Sequence, residues 1–362
     1  MSWFVTAWAL VAAAFTWVAV WRLWRQERRA PRRLRRRPHV LLLRPVDAPT
    51  PLELENLSAP IDYPGELSHV VLSPFRPRLA SANVRWLPSD PLTTNRKVGH
   101  LAYGLATLER PKDTVVLCVD ADVRVDGALV SSLVDALLDG AAAASAAPRP
   151  EVSNTLAGRG VRGLLVQTHH SFEALDVMSA GAKAICGKAV ALGPEAEALL
   201  VRLGGCIGED LELAQLLHER GLTVALAEAP AVVPQPARVA PATVVSRFTR
   251  WMQVLRAHRP ALFPTVPVFF APTPVLMVLA AVVATPPVAF ALSFLVAARI
   301  TLANRLDRRP GLRFEWLLAE GLLLLCWLGA LRAGRTVEWR GRRFELRGGG
   351  EMAPVPIEEG AS

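Results

Sequence analysis

Residues 114–125 read TVVLCVDADVRV. The run from Val115 to Val119 is short, apolar and rich in β-branched residues, the composition of a strand buried on both faces rather than of a helix. It stops at two carboxylates, Asp120 and Asp122. Three more runs have the same character: HVLLLR at 39–44, HVVLS at 69–73 and TVALAE at 223–228. The segments between them carry helical spacing, as in Val98, Leu101, Leu105 and Leu108, or in LVSSLVDALL at 129–138. This alternation predicts an α/β domain with a largely parallel sheet, and such sheets bind ligands beyond the carboxyl ends of their strands. Asp120 and Asp122 stand at such an end.

On either side of this domain the chain changes character. Of 362 residues, 52% are hydrophobic, which is high for a soluble protein. Residues 3–21, WFVTAWALVAAAFTWVAVW, carry no charge and are long enough to cross a bilayer, with tryptophans at both ends. A cleaved signal peptide fits poorly, because no basic segment precedes the run. Nine arginines follow it within residues 22–37; less Glu27 they contribute +8 of a net charge of +9. Basic charge this local reads as a positive-inside signal in contact with lipid headgroups, not as a nucleic-acid surface. It predicts an integral membrane protein, of the inner membrane in a bacterium, with residues 39–260 in the cytosol and Ser153 as an exposed position for testing this. The four cysteines, Cys118, Cys186, Cys206 and Cys326, lack the spacing of a zinc site or disulfide framework.

Toward the C-terminus, the apolar stretch 267–304 is interrupted at Thr285-Pro286-Pro287, which predicts a helical hairpin followed by the basic RLDRR at 305–309. Segment 314–332 contains Glu315 and Glu320, and a full crossing there would put the arginine-rich stretch 332–347 outside. An interfacial or re-entrant helix is predicted instead. The organisation is therefore a membrane anchor (1–24), a basic linker (25–38), a cytosolic catalytic domain (39–240), an interfacial helix (241–262), membrane helices (263–335) and a basic cytosolic tail (336–362). There is no internal repeat, and 141–147 is alanine-rich.

Four constellations carry chemistry. Asp120 and Asp122 are spaced to hold a hard divalent cation, although the same spacing suits a plain strand-to-turn junction. GEDLELAQLLHERG at 208–221 places Glu209 and Asp210 at the start of an amphipathic helix closed by Gly221. One of these carboxylates is a candidate general base, and both also suit a helix N-terminus. RFTRW at 247–251 offers Arg247 and Arg250 to phosphate oxygens and Trp251 to an acceptor, or anchors a helix at a membrane surface. NRKVGHL at 95–101 sets Asn95 and Lys97 before a helix, where lysine pairs readily with phosphate.

The order of these motifs resembles glycosyltransferase family 21, the ceramide glucosyltransferase-like enzymes, which are related to hopanoid-associated lipid glycosyltransferases. ENL (55–57), DYP (62–64), NRKVGHL, VDADVRV, GEDLELA, RFTRW and VEWRGRRFELRGGG (337–350) carry the resemblance. It implies a GT-A-like nucleotide-sugar-binding domain and inverting transfer of a hexose, from UDP-glucose, to a lipid hydroxyl such as ceramide. Other acceptors in keeping with it are a hopanoid or diacylglycerol; an inactive lipid-binding or scaffold paralogue is the alternative of another class. The resemblance implies Mg²⁺ or Mn²⁺ on Asp120 and Asp122, with Asp210 as base beside Glu209. It also implies Arg247 and Arg250 on the diphosphate, Trp251 at the acceptor, Asn95 and Lys97 at the donor, and His170, within THHSF, as a further substrate contact. The family has an aspartate after its second strand to receive the nucleotide base; here HVVLS runs into PFRPR.

Overall fold

The computed structural model describes residues 1–28, 37–151, 155–178, 184–236, 240–307, 314–339 and 342–355. Ser153, much of the basic linker and parts of the 305–309 and 337–350 motifs lie outside them. In chain order, α1 (Ser2–Glu27) precedes β1 (Val40–Pro45), α2 (Pro51–Ser58), β2 (Leu67–Ser73), β3 (Val84–Pro88), α3 (Arg96–Thr107), β4 (Val115–Val119) and α4 (Gly127–Leu138). Next come β5 (Ala143–Ser145), β6 (Pro148–Pro150), α5 (Leu156–Met178), β7 (Ala189–Leu192), α6 (Pro194–Leu200), α7 (Glu209–Glu219), β8 (Val224–Leu226) and β9 (Ala231–Val233). The chain continues through α8 (Pro241–His258), α9 (Pro272–Val283), α10 (Pro286–Asp307), α11 (Glu315–Arg332), β10 (Thr336–Trp339), β11 (Arg342–Leu346) and β12 (Met352–Pro354).

Seven strands form the central sheet in the order β3-β2-β1-β4-β7-β5-β8. β1 to β4 are parallel, and β7 runs antiparallel to both β4 and β5. Alternate residues face opposite cores. Leu42 and Leu117 pack with Leu129 and Leu133 of α4, whereas Leu41, Leu43 and Cys118 pack with Leu101 of α3 and Leu217 of α7. Burial on both faces explains the nearly continuous hydrophobic runs. The strand order reverses between β1 and β4, so the ligand crevice of such a sheet opens where β4 ends, at Asp120.

Among the described residues, two helices are long and apolar enough to cross a membrane, within Ser2–Arg25 and Pro286–Leu306. They pack together through small residues: Ala9, Ala12 and Ala13 of α1 lie against Ala291 and Leu295 of α10. Small side chains let the backbones approach, which suits association where lipid supplies no hydrophobic drive. The hairpin expected at 267–304 is present as α9 and α10. However, α9 has 12 residues, about 18 Å at 1.5 Å per residue, and falls short of a bilayer core. α11, in the segment expected as an interfacial or re-entrant helix, is one unbroken helix packed along α5 and α8. The segment expected as a basic tail folds as an antiparallel sheet, β10-β11-β12, against α8.

Candidate active site

The Asp120–Val123 turn is held from below by a buried cation. Arg44, at the end of β1, is fully buried, and its Nη2 donates to the carbonyls of Asp120 (3.0 Å), Ala121 (3.3 Å) and Val123 (2.7 Å). Burial lowers its pKa to about 10, against the pull of Asp122 and Asp120, so it stays charged at neutral pH. Asn56, the asparagine of ENL, adds a contact from Nδ2 to Ala121 O at 3.4 Å. With its carbonyls engaged from beneath, the turn leaves the Asp120 and Asp122 carboxylates to meet cations on the open side.

Three cations do so. Lys97, in the first turn of α3, places Nζ 2.8 Å from Asp120 Oδ1 and 3.0 Å from Glu209 Oε1, and donates to Gly187 O at 2.7 Å. Lys188, just before β7, reaches Asp120 Oδ2 at 3.1 Å and Asp122 Oδ2 at 2.6 Å. Arg247 of α8 stands 3.4 Å from Asp122 Oδ2. Enclosure by itself would raise the Asp120 pKa, but Lys97 and Lys188 outweigh it and bring the carboxyl down to about 2. Asn95 is the N-cap of α3; its side chain accepts from Val98 N and donates to Cys206 O (2.7 Å) and Glu209 Oε2 (3.1 Å). Both Glu209 oxygens are therefore engaged by the start of α3.

Asp210 has different surroundings. Its Oδ2 accepts from Gly187 N at 2.8 Å and its Oδ1 from Leu211 N at 3.0 Å. Enclosure, and then repulsion from Glu209, raise its pKa to about 6, against the pull of Lys97 and the two amides. The N-cap of α7 is Gly208, which has no side chain to offer, so Asp210 is not the capping group. Two adjacent carboxylates thus have separate environments, one held by an ion pair and an amide hydrogen bond and one with its pKa raised.

The chain matches Glycosyl transferase family 21 over residues 83–352. It belongs to this family. Among solved structures it is similar to the mannosyltransferase PcManGT from Pyrobaculum calidifontis, in complex with GDP-Man and Mn²⁺. Identity is 19%, the TM-score is 0.47, and the match covers 90% of this chain and 99% of that one. It is also similar to a mycobacterial protein at 18% identity and a TM-score of 0.35, over 61% of this chain and 74% of that one. No curated protein matches it. The chain is a glycosyltransferase, and its α/β fold with a parallel central sheet is the GT-A-like one that the motifs imply.

Most of the residues singled out in the glycosyltransferase sequence converge: Asn95, Lys97, Asp120, Asp122, Glu209, Asp210 and Arg247 form one connected set. Trp251 packs edge-on to the buried Phe248, with the Arg247 guanidinium 5.6 Å from its ring centre. Arg250 is turned elsewhere, toward Glu338 O of β10 at 3.4 Å. His170 does not join the set. It lies on α5, buried between Phe15 of α1 and Phe270, with Nδ1 3.0 Å from Arg299 Nη1 of α10. The reason is that α5 packs on α1 and α11. Arg44, Gly187 and Lys188 belong to the site and were not singled out. The one available signal for Lys188 was a glycine-lysine pair leading into an apolar run, CGKAVAL.

The C-terminal sheet closes over the loop that carries the acidic pair. Ile207 N donates to Gly350 O and Met352 N to Gly205 O, both at 2.9 Å. His258, at the end of α8, meets Ile207 O through Nε2 at 2.6 Å. Gly350 has φ +72°, and a Cβ there would stand 1.9 Å from His258 Nε2, so neither the backbone nor the space admits a side chain.

Proposed function

We propose that this glycosyltransferase is held in a membrane with its catalytic domain in the cytosol and transfers a hexose from a nucleotide-sugar to a lipid hydroxyl. UDP-glucose and ceramide are the donor and acceptor that its motifs favour, and transfer is inverting. The observation that carries this reading is Lys97 Nζ, which bridges Asp120 and Glu209 and so joins the strand end that faces the donor phosphates to the helix that bears Asp210. Inversion needs proton removal on one side of the sugar and charge neutralisation on the other. Asp210 accepts the proton of the attacking hydroxyl, while Lys97 and Arg247 face the departing diphosphate, with Arg250 one helical turn on. Trp251 walls the acceptor. The hydrophobic surfaces of α1 and α10 give a lipid acceptor its route, since it need not leave the bilayer.

The site also fits a divalent cation. Asp120 and Asp122 supply hard oxygen donors, and Asp122 Oδ1 is buried with no hydrogen-bond partner among the described residues. No group of three or more candidate ligand side chains occurs among those residues. Two carboxylates with phosphate oxygens completing the shell is an ordinary arrangement for Mg²⁺ or Mn²⁺. Such an ion, when bound, stabilises negative charge on the leaving diphosphate.

The decisive experiment is an assay of the detergent-purified chain with a panel of nucleotide-sugars and lipid acceptors, read by mass spectrometry. Transfer only to water or to soluble sugars would overturn the lipid reading. Asp120→Asn is expected to abolish turnover, and excess chelator to do the same in the unaltered chain; full activity in chelator would end the cation assignment. For topology, Lys112 is exposed and described, so it replaces Ser153 as the labelling position. Lys112→Cys, on a background lacking the partly exposed Cys206, is expected to resist a membrane-impermeant thiol reagent in intact cells. Ready labelling would reverse the orientation.

A further inference from the structure

Lys188 occupies a position that the sequence does not advertise. Asp120 N donates to Lys188 O at 2.9 Å, so the lysine stands directly across from the strand end on the antiparallel neighbour, β7. From there its side chain, only 11% exposed, sets the ammonium between the two carboxylates, against Oδ2 of each. Two like charges this close need counter-ions; Lys97 meets Asp120 at 2.8 Å and Arg247 meets Asp122 at 3.4 Å, whereas Lys188 joins both carboxylates. The two carboxylates that Lys188 holds are also those that would hold a divalent cation. Ammonium and metal would therefore compete for the same pair.

We propose that Lys188 is an internal competitor for the cation site, whose release couples metal binding to binding of the nucleoside diphosphate; this rests on reading Asp120 and Asp122 as that site. The charges show why. With a divalent cation added, Arg44, Lys97, Lys188 and Arg247 bring the positive total to six, against four negative charges on Asp120, Asp122, Glu209 and, above about pH 6, Asp210. The displaced ammonium has no partner in that arrangement. A diphosphate supplies about two negative charges and an oxygen surface for an ammonium to contact. Metal alone binds weakly because it must expel a paired lysine; metal and diphosphate together bind well because the lysine exchanges one anion for another. Each ligand raises the affinity of the other by the same factor, as linkage requires. Lys188 thus keeps the site from holding metal without a donor, and on release adds a positive charge where the leaving group departs.

The test is a Mn²⁺ titration of the detergent-solubilised full chain, followed by the electron paramagnetic resonance signal of free Mn²⁺, without nucleotide and with saturating UDP or GDP. In the unaltered chain, nucleotide is expected to tighten Mn²⁺ binding by about tenfold or more, within the usual range of coupling between sites. Lys188→Met is expected to tighten nucleotide-free Mn²⁺ binding and to shrink the gain from nucleotide, while lowering transfer. Lys188→Gln should behave like Lys188→Met, which guards against a folding defect in either, and Lys188→Arg should retain weak nucleotide-free binding. If folded Lys188→Met and Lys188→Gln bind Mn²⁺ as the unaltered chain does, with and without nucleotide, the competition is absent and this inference falls alone. If the unaltered chain fails to bind Mn²⁺ even with nucleotide, the cation-site reading falls and takes the inference with it.

Discussion

Asp210→Asn is expected to fold, to bind nucleotide-sugar normally and to lose transfer by about a hundredfold or more, the usual scale of general-base assistance. Asparagine keeps one oxygen, for Gly187 N; its amide nitrogen then faces Leu211 N, which still donates to Gly208 O at 3.0 Å, so the start of α7 is retained. It lacks a basic carboxylate. Because the Asp210 pKa is raised to about 6 by enclosure and by Glu209, kcat/KM should climb as pH rises through about 6 and level off above it. That acid limb should be missing from the residual activity of the asparagine variant. Stability should move the other way. A carboxyl whose folded pKa lies above its ordinary value favours the folded state in its protonated form. That contribution is complete below the ordinary carboxylate range and is lost as pH rises through about 6. At pH 7.5 the neutral asparagine should therefore give a higher melting temperature than aspartate. Glu209→Gln is the comparison: it frees Lys97 and loosens the Asn95 contact, so it should raise the donor KM more than it lowers kcat. A larger kcat loss in Glu209→Gln, with both variants folded, would move the base to Glu209.

The second large effect concerns stability. Glu320 of α11 is fully buried; its Oε1 lies 2.9 Å from Arg299 Nε, and its Oε2 accepts from Thr273 N at 2.8 Å. Arg299 in turn donates to Phe269 O at 2.7 Å and meets His170. This one pair ties α10, α11, the start of α9 and, through His170, α5. Glu320→Ala strands a buried guanidinium and is expected to cost about 3–5 kcal/mol, the scale for breaking a buried pair from one side. The double change Arg299→Met with Glu320→Leu removes both charges and should recover much of that loss in thermal unfolding of the detergent-solubilised chain. If the double variant is no more stable than Glu320→Ala, the charge pair is not what the cost reflects. His170, which the family resemblance implied as a substrate contact, thus has its effect here, and His170→Ala should lower stability more than it alters donor KM.

How much of this was legible in advance depended on burial and on distance along the chain. β1, β2 and β4 showed themselves because strands covered on both faces must be apolar at every position. β5 did not, because Ala143–Ser145 sits beneath α4 with small side chains and reads as an alanine-rich stretch; context overrode propensity. β3, with Arg85 and Trp86 on an edge, lacked a continuous run. At the site, Asp120, Asp122, Glu209 and Asp210 were legible because carboxylates at a strand end or a helix start stand out by type and place. Lys188 and Arg44 were not. Each meets its partners across 66 to 79 residues of chain, and a lysine after a glycine looks like any turn. His170 was misplaced for the converse reason: a histidine in a helix says nothing about which neighbours the helix will reach.

The fastening of the 205–208 loop by Gly350 and Met352 has a consequence for biosynthesis. A ribosome making this protein completes the sheet, Asp120 and Asp210 long before it reaches residues 350–352, and α9, α10 and α11 must be made in between. The amides of Ile207 and Met352 find their acceptors only after that hydrophobic stretch has been made. A nascent chain with a finished nucleotide-sugar domain therefore still lacks the brace behind its acidic pair. A chain stalled or clipped before residue 350 is therefore expected to bind a nucleotide-sugar donor without transferring its sugar.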